Sequence, residues 1–348
     1  MGYFRENIER MVGYVPGEQP SPEQRVIKLN TNENPYPPSP RVLEAIKNID
    51  AELLRRYPEP MADRFRRKVS QVLKIPLDWI IATNGSDELL SIVFRACVGE
   101  ADQVAYPVPT YVLYRTLTEM QGGRYVEVPF DEDFSLPVEQ LIQAAAKLTI
   151  ISCPNSPSGT TYPSELLDDL AGKVAGLLLI DEAYVDFAEE DCLELVSKRE
   201  NVIILRTLSK GYSLAGIRLG FGLANPKILE HLCKVKDSYN VDAVAALVGA
   251  VALDDQEYKN ANVKKVNADR AKMKINLEQL GFRVWPSGGN FLLCKPPKNN
   301  AEQIYRMLKA RGILVRYFNQ QGLDDKLRIT IGTDEQNDIL IAALKEII

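Results

Sequence analysis

Leu148-Thr149-Ile150-Ile151-Ser152-Cys153-Pro154-Asn155-Ser156-Pro157-Ser158-Gly159 is a short apolar, β-branched run that stops at a turn of proline, serine, asparagine and glycine. A helical pattern over Ser164 to Ala171 follows, and then a second apolar run, Leu177 to Ile180. Strand, crossover helix and strand in that order form one unit of a parallel sheet covered on both faces. The same rhythm extends to either side. Ile80 to Thr83 precedes a helical Asp87 to Ala96, and Gln103 to Tyr106 precedes Tyr111 to Gln121; Val202 to Arg206 and Arg218 to Leu223 read as further strands. Each run is bounded by Gly, Pro, Asn or Asp, the residues that end strands. The expected fold is α/β, a mostly parallel central sheet covered by helices. Near Asn240 the pattern turns to long helical segments that reach Leu280, with Gly281 as the C-cap. Strands near Asn290 to Lys295, Leu314 to Tyr317 and Lys326 to Ile331, with helices over Ala301 to Ala310 and Glu335 to Ile347, predict a smaller α+β domain. The expected division is a large α/β domain over 45–245, with 1–44 and 246–348 forming an N-terminal arm and the small domain.

The 348 residues carry a net charge of −5, with 45% hydrophobic and 26% charged side chains, so disorder, collagen and coiled-coil readings are excluded. The single histidine, His231, lies in an ordinary helical stretch, which removes Ser-His-Asp and Cys-His machinery. Cys97, Cys153, Cys192, Cys233 and Cys294 are scattered without a CxxC pair, which fits reduced core thiols and argues against zinc. Met1 to Arg10 is polar and no run of 18 apolar residues occurs, so a cytoplasmic protein without a membrane role is expected. The acidic total argues against nucleic acid, and Arg64, Arg66, Arg67 and Lys68 read as a solvated helix face.

In a parallel sheet, ligands gather beyond the carboxyl ends of the strands. After Ile80 to Thr83 comes Asn84-Gly85-Ser86-Asp87-Glu88, a turn opening a helix whose free N–H groups suit a phosphate. After Leu148 to Cys153 comes the turn holding Asn155. Asp181-Glu182-Ala183-Tyr184 follows the next strand, and Thr207-Leu208-Ser209-Lys210-Gly211-Tyr212, then Arg218, follows the one after. Taken singly, each has a bland reading: Asn155 as a turn former, Asp181 as a surface acid, Lys210 as a solvated lysine. Their recurrence at four consecutive strand ends points to one ligand, an aromatic aldehyde bearing a phosphate and a pyridine nitrogen: pyridoxal 5'-phosphate. Lys210 suits a Schiff base, and Asp181 suits a proton on the pyridine nitrogen. Asn155 and Tyr184 suit the ring hydroxyl oxygen, and Tyr111 the ring face. Backbone N–H groups of Ser86 and Asp87, with Thr207, Ser209 and Arg218, suit the phosphate.

With these residues in view, the sequence resembles the fold-type I pyridoxal-phosphate aminotransferases over essentially its whole length. Within that family it is most similar to the histidinol-phosphate aminotransferases. Leu29-Asn30-Thr31-Asn32-Glu33-Asn34-Pro35, Arg56-Tyr57-Pro58, Gly85-Ser86-Asp87-Glu88 and the stretch from Val315-Arg316-Tyr317-Phe318 to Leu327-Arg328-Ile329-Thr330-Ile331-Gly332 carry that likeness. The departures are small: Ser156 and Ser158 stand where Asn and Thr are frequent.

The resemblance implies L-histidinol phosphate as amino donor and 2-oxoglutarate as acceptor, in two ping-pong half-reactions. It implies that Arg328 grips the substrate's acid group, with Arg316 as a second fork for a phosphate dianion. It puts Tyr14 on an arm near the substrate and Asn34 where the chain passes the pocket. It also makes Tyr57 the tyrosine that reaches the cofactor phosphate of a neighbouring subunit, hence a homodimer with shared sites. Rivals on the same scaffold are an aromatic amino acid transaminase and a threonine-phosphate decarboxylase. A non-catalytic cofactor sensor is a more distant one, with no basic helix-turn-helix before the fold to support it.

Overall fold

The computed structural model describes residues 2–13, 18–21, 26–298 and 300–348. Its strands are β1 Ile27–Leu29, β2 Ile80–Thr83, β3 Gln103–Val108, β4 Arg124–Pro129, β5 Leu148–Ser152, β6 Leu177–Asp181, β7 Val202–Thr207, β8 Gly220–Ala224, β9 Arg283–Val284, β10 Phe291–Lys295, β11 Ile313–Tyr317 and β12 Leu327–Thr330. Among the described residues they form two sheets, a seven-stranded one ordered β2-β8-β7-β6-β5-β3-β4 and a five-stranded one ordered β1-β11-β12-β10-β9. In the large sheet only β8 runs against its neighbours.

The strands of the large sheet are buried on both faces because alternate side chains enter two different cores. Ile151, Leu178, Ile180, Val202 and Ile204 face one; Leu148, Ile150, Leu179, Ile203 and Leu205 face the other. Removing each such side chain from water contributes about 1.5–3 kcal/mol, so the centre of this sheet is the rigid floor for whatever lies at its edge.

The helical stretch after Asn240 is two helices, Ala243–Asp254 and Gln256–Gln279, because Asp255 interrupts it and accepts the Tyr258 N–H as the cap of the second. Val42, in helix Pro40–Lys47, and Ala245, Val248 and Leu253, in helix Ala243–Asp254, belong to the core of the large sheet. That core therefore continues past residues 45 and 245. Arg66 also departs from its expected place on a solvated face. It is buried and donates to the carbonyls of Ile80 and Leu77, with Asp63 as its ion-pair partner, so it ties helix Asp63–Leu73 to the start of β2.

The five-stranded sheet packs against helices Gln256–Gln279, Ala301–Ala310 and Asp334–Ile347, the last opened by a capping box of Thr333 and Gln336. Pairing of β1 with β11 draws the N-terminal part of the chain into this second unit. Directly after β1 the chain turns back toward the large sheet as Asn30 to Asn34, and this return is what brings the two units together around one site.

Candidate active site

The carboxyl ends of β2, β3, β5, β6 and β7 meet the beginning of β8 at one end of the large sheet, because β8 alone is reversed. They open onto a cavity of about 810 Å³ whose far wall is the five-stranded sheet. Most residues expected at the strand ends line it: Ser86, Asp87, Tyr111, Asp181, Tyr184, Thr207, Ser209, Lys210 and Arg218, with Arg316 and Arg328 from the far wall.

At one side lies a cup suited to an anion. Ser86 and Asp87 open helix Ser86–Cys97, whose first N–H groups have no partner within the helix. Arg218 was expected to begin a strand, but its φ of 55° places it in the left-handed region before β8, and its Nη2 approaches the Asp87 carboxylate at 3.2 Å. Two glycines let these pieces close. Gly85 has φ +75°, and a Cβ there would lie 2.6 Å from the Arg218 guanidinium. A Cβ on Gly220 would lie 2.7 Å from the Ser86 nitrogen. Thr207 and Ser209, both buried, complete the cup, with the Thr207 hydroxyl donating to Ser209 Oγ at 3.0 Å.

Asp181 stands at the tip of β6 and is 5% exposed. Tyr114 donates its hydroxyl to Oδ2 at 2.6 Å, and the Ala183 N–H reaches Oδ1 at 3.0 Å. Burial raises the carboxyl to about 6, although both hydrogen bonds pull the other way. Among the described residues no cation pairs with this acid, and one facing it from the cavity would let it ionise. Tyr111 meets Tyr114 edge-on at 5.7 Å and donates to Asp87 Oδ1 at 3.2 Å, so its ring is held beside the acid.

Lys210 extends from the loop after β7, and its Nζ donates to the carbonyl of Thr31 at 3.1 Å. Asn34 takes a different place from the substrate contact expected of it. Its amide donates to the carbonyls of Lys210 and Gly211 at 3.0 and 3.4 Å, so it holds the lysine's backbone. Asn155 is buried behind the cavity wall. Both protons of its amide are engaged, by Ser158 Oγ at 2.9 Å and the Pro109 carbonyl at 3.3 Å, and Thr110 donates to its oxygen.

Arg316 and Arg328 face each other directly across β11 and β12, so their side chains share one side of the sheet. Arg328 donates to Ser156 Oγ at 3.0 Å and to the Asn30 carbonyl at 2.9 Å. Among the described residues no carboxylate pairs with Arg316, and its guanidinium lies over Phe318. Two opposed cations on one sheet face repel unless an anion joins them.

Tyr57 does not reach this cavity. It is 83% exposed and stacks on Tyr239 with ring centroids 4.8 Å apart. Tyr14 lies outside the described residues. Several contributors had no role assigned to them from sequence: Asn30, Thr31 and Asn32, known there only as part of the likeness motif, with Tyr114 and Ser156. The asparagines at 30, 32 and 34 alternate with period two, the spacing that puts side chains of an extended chain on one side, and that was their signal. Tyr114 carries no such mark, since a tyrosine on the apolar face of a helix reads as core.

The chain matches the family described as aminotransferase class I and II over residues 24–344. It is 60% identical over 346 residues to histidinol-phosphate aminotransferase 1 of Trichormus variabilis, covering 99% of both chains. It is 46% identical to histidinol-phosphate aminotransferase of Citrifermentans bemidjiense, covering 99% of this chain and 98% of that one. Its structure resembles that of histidinol-phosphate aminotransferase from Sinorhizobium meliloti in complex with pyridoxal-5'-phosphate, with a TM-score of 0.92 at 26% identity, over 100% of this chain and 98% of that one.

Proposed function

The chain belongs to the class I and II aminotransferases, and from that premise we propose that it moves the amino group of L-histidinol phosphate to 2-oxoglutarate, with pyridoxal 5'-phosphate as cofactor. The products are imidazole-acetol phosphate and L-glutamate. The observation that carries the substrate half is the opposed pair Arg316 and Arg328, whose repulsion a phosphate dianion relieves. A dicarboxylate fits the same two forks, so one pocket serves both half-reactions.

The cavity fits the cofactor. Asp181 is a buried acid with no cationic partner among the described residues, and a protonated pyridine nitrogen would supply one. The cup around Arg218 and the start of helix Ser86–Cys97 fits its phosphate, and Gly220 leaves the room. When bound, the cofactor supplies an aldehyde that condenses with amines and a ring that accepts the electron pair left on the reacting carbon. Lys210 Nζ would hold the aldehyde and, as the free amine, would take the proton from the substrate's reacting carbon and deliver it to the carbon of the cofactor's aldehyde. Asp181 holds the proton on the ring nitrogen, and Tyr111 covers the ring. Tyr184 donates to the ring oxygen, and Asn155 does so with the proton now in its longer contact to Pro109.

In this reading 45–245 is the body of the cofactor-binding domain, which helices Pro40–Lys47 and Ala243–Asp254 complete, and the rest of 1–44 and 246–348 form the arm and small domain. The active form is a homodimer in which Tyr57 of one copy reaches the cofactor phosphate of the other, and Tyr14 of the arm lies near the substrate. The exposed Tyr57–Tyr239 pair supports the dimer. Five cysteines without disulfides support a cytoplasmic setting; no helix among the described residues is long and apolar enough to cross a membrane.

The test is glutamate formation from 2-oxoglutarate by the purified protein, with L-histidinol phosphate, phenylalanine and threonine phosphate compared, and CO₂ release measured with the last. Preference for histidinol phosphate is expected. A preference for phenylalanine, or CO₂ release from threonine phosphate, would overturn the substrate assignment and leave the cofactor assignment standing.

A further inference from the structure

Asn32 sits in the return of the chain from β1, 1% exposed, with a φ of 56°. Asparagine tolerates that left-handed backbone better than most residues, and Asn290 pins the Asn32 carbonyl by donating to it at 3.0 Å. The Asn32 N–H donates to Thr330 Oγ1 at 3.0 Å, and the Thr330 hydroxyl donates back to Asn32 Oδ1 at 3.0 Å. This pair of bonds orients the amide. A flipped Asn32 would turn its NH₂ toward Thr330, and among the described residues the buried hydroxyl has no other acceptor for its one proton. With Oδ1 facing β12, Nδ2 faces Tyr184 and donates to its hydroxyl oxygen at 3.0 Å.

The consequence falls on Tyr184. Its oxygen is an acceptor toward Asn32, so its single proton must point elsewhere, and no acceptor among the described residues is in reach. Tyr184 lines the cavity, its ring held edge-on to Phe291 at 5.0 Å with Lys210 Nζ 5.5 Å from its centroid. The only direction left for the proton is the cavity.

Resting on the cofactor reading above, we propose that Thr330 and Asn32 are positioning residues that make Tyr184 an obligatory hydrogen-bond donor to the cofactor's ring oxygen. That oxygen carries negative charge, and a donated proton stabilises it. The charged oxygen then holds less tightly the proton on the adjacent nitrogen that joins Lys210 to the cofactor, so that nitrogen loses its proton at lower pH. A chain of hydrogen bonds from β12 of the small unit thus sets a protonation equilibrium at the large one. Lys210, Asp181, Asp87, Glu33, Glu119, Arg10, Arg115, Arg218, Arg316 and Arg328 are the charged groups that line the cavity with Tyr184 among the described residues, and the substitutions below leave all of them in place.

The experiment follows the cofactor's absorption against pH in the holoenzyme, for wild type, Asn32→Asp, Tyr184→Phe and the double variant. Aspartate keeps the shape of Asn32 and tolerates its φ, but it accepts from both Thr330 and Tyr184, so it turns the tyrosine's proton out of the cavity. The midpoint is expected to rise by about one pH unit in N32D, a tenfold change in the equilibrium. In the Y184F background the same substitution should shift it by less than half as much, the remainder being the charge of the new carboxylate. Thr330→Val, which adds no charge, should raise the midpoint by a smaller amount and keeps the proposal testable if N32D does not fold. An unchanged midpoint in N32D and T330V, or an equal N32D shift with and without the Tyr184 hydroxyl, would overturn the proposal. A wild-type protein showing no cofactor band would overturn the cofactor reading and this inference with it.

Discussion

Lys210 and Asp181 stand in the same cavity, but the fold treats them differently. Lys210 is partly exposed and hydrogen-bonded to a carbonyl, whereas Asp181 is a buried acid held by the Tyr114 hydroxyl and the Ala183 N–H. Replacing Lys210 with alanine removes the amine that holds the cofactor and carries the proton. Turnover should fall by at least about 10³-fold, while the circular dichroism spectrum and melting curve stay close to wild type; near-normal turnover would exclude the lysine. For Asp181 the sign of the pH effect follows from its raised pKa. With the folded value near 6 against an ordinary 3.8, the native state binds more protons than the unfolded chain between those limits. The acid's contribution to stability is therefore full below about pH 4 and is lost as pH rises through 6. In the cofactor-free protein, Asp181→Asn should gain on wild type by on the order of 3 kcal/mol across that window. Loaded with cofactor, whose ring nitrogen places a cation against the carboxylate, wild type should recover the advantage. Melting temperatures of both proteins at pH 5 and 8, with and without pyridoxal phosphate, decide it. A pH-independent difference between the two would mean that Asp181 is ionised throughout.

The elements show which of these residues the sequence could reveal. Strands β5, β6 and β7 are continuous apolar runs ended by turn residues, so their tips, with Asp181 and Lys210, could be located from pattern alone. β1 and β4 escaped for opposite reasons: β1 is a three-residue strand, and β4, Arg124–Pro129, is an edge strand carrying charged residues at Arg124 and Glu127. Missing β1 hid the return through Asn30, Thr31 and Asn32, contacts that lie far apart in sequence, such as the one between Asn32 and Thr330. Nor does any periodicity announce a reversed strand. The antiparallel β8 is what carries Arg218 to the same end of the sheet as the helix opening at Ser86, and Gly220 is where the two touch. Gly220→Ala would set a methyl 2.7 Å from the Ser86 nitrogen and 3.0 Å from the Arg206 carbonyl, both backbone atoms that cannot swing aside. Overpacking of this kind costs about 1–3 kcal/mol, and it displaces the phosphate cup first. A fluorescence titration with pyridoxal phosphate should show affinity reduced at least about tenfold. Unchanged affinity would mean that the phosphate is held elsewhere.

At the scale of the whole molecule, the cavity lies between two separately cored units, so its geometry depends on how they meet. The segment Asn30 to Asn34 touches both, through Arg328 on one side and the backbone of Lys210 on the other. Asp186 after β6 and Lys259 of helix Gln256–Gln279 add a half-buried ion pair at 3.1 Å across the same junction. One group of the proposed site nevertheless lies away from the cavity of its own chain, since Tyr57 is exposed beside Tyr239. If Tyr57 serves the site of a second copy, two inactive proteins should repair each other. One carries Lys210→Ala with Tyr57 intact; the other carries Tyr57→Ala with Lys210 intact. In their mixed dimer, the subunit that keeps Lys210 receives Tyr57 from its neighbour, which rebuilds one complete site, while the other site lacks both groups. Mixing after mild dissociation should therefore raise cofactor retention and turnover well above either parent. With random pairing half the dimers are mixed and each holds one good site in two, which sets a ceiling of about one quarter of wild-type activity. If Tyr57 acted within its own subunit, or on no site at all, mixing would give only the average of the two parents, and the shared-site dimer would be excluded.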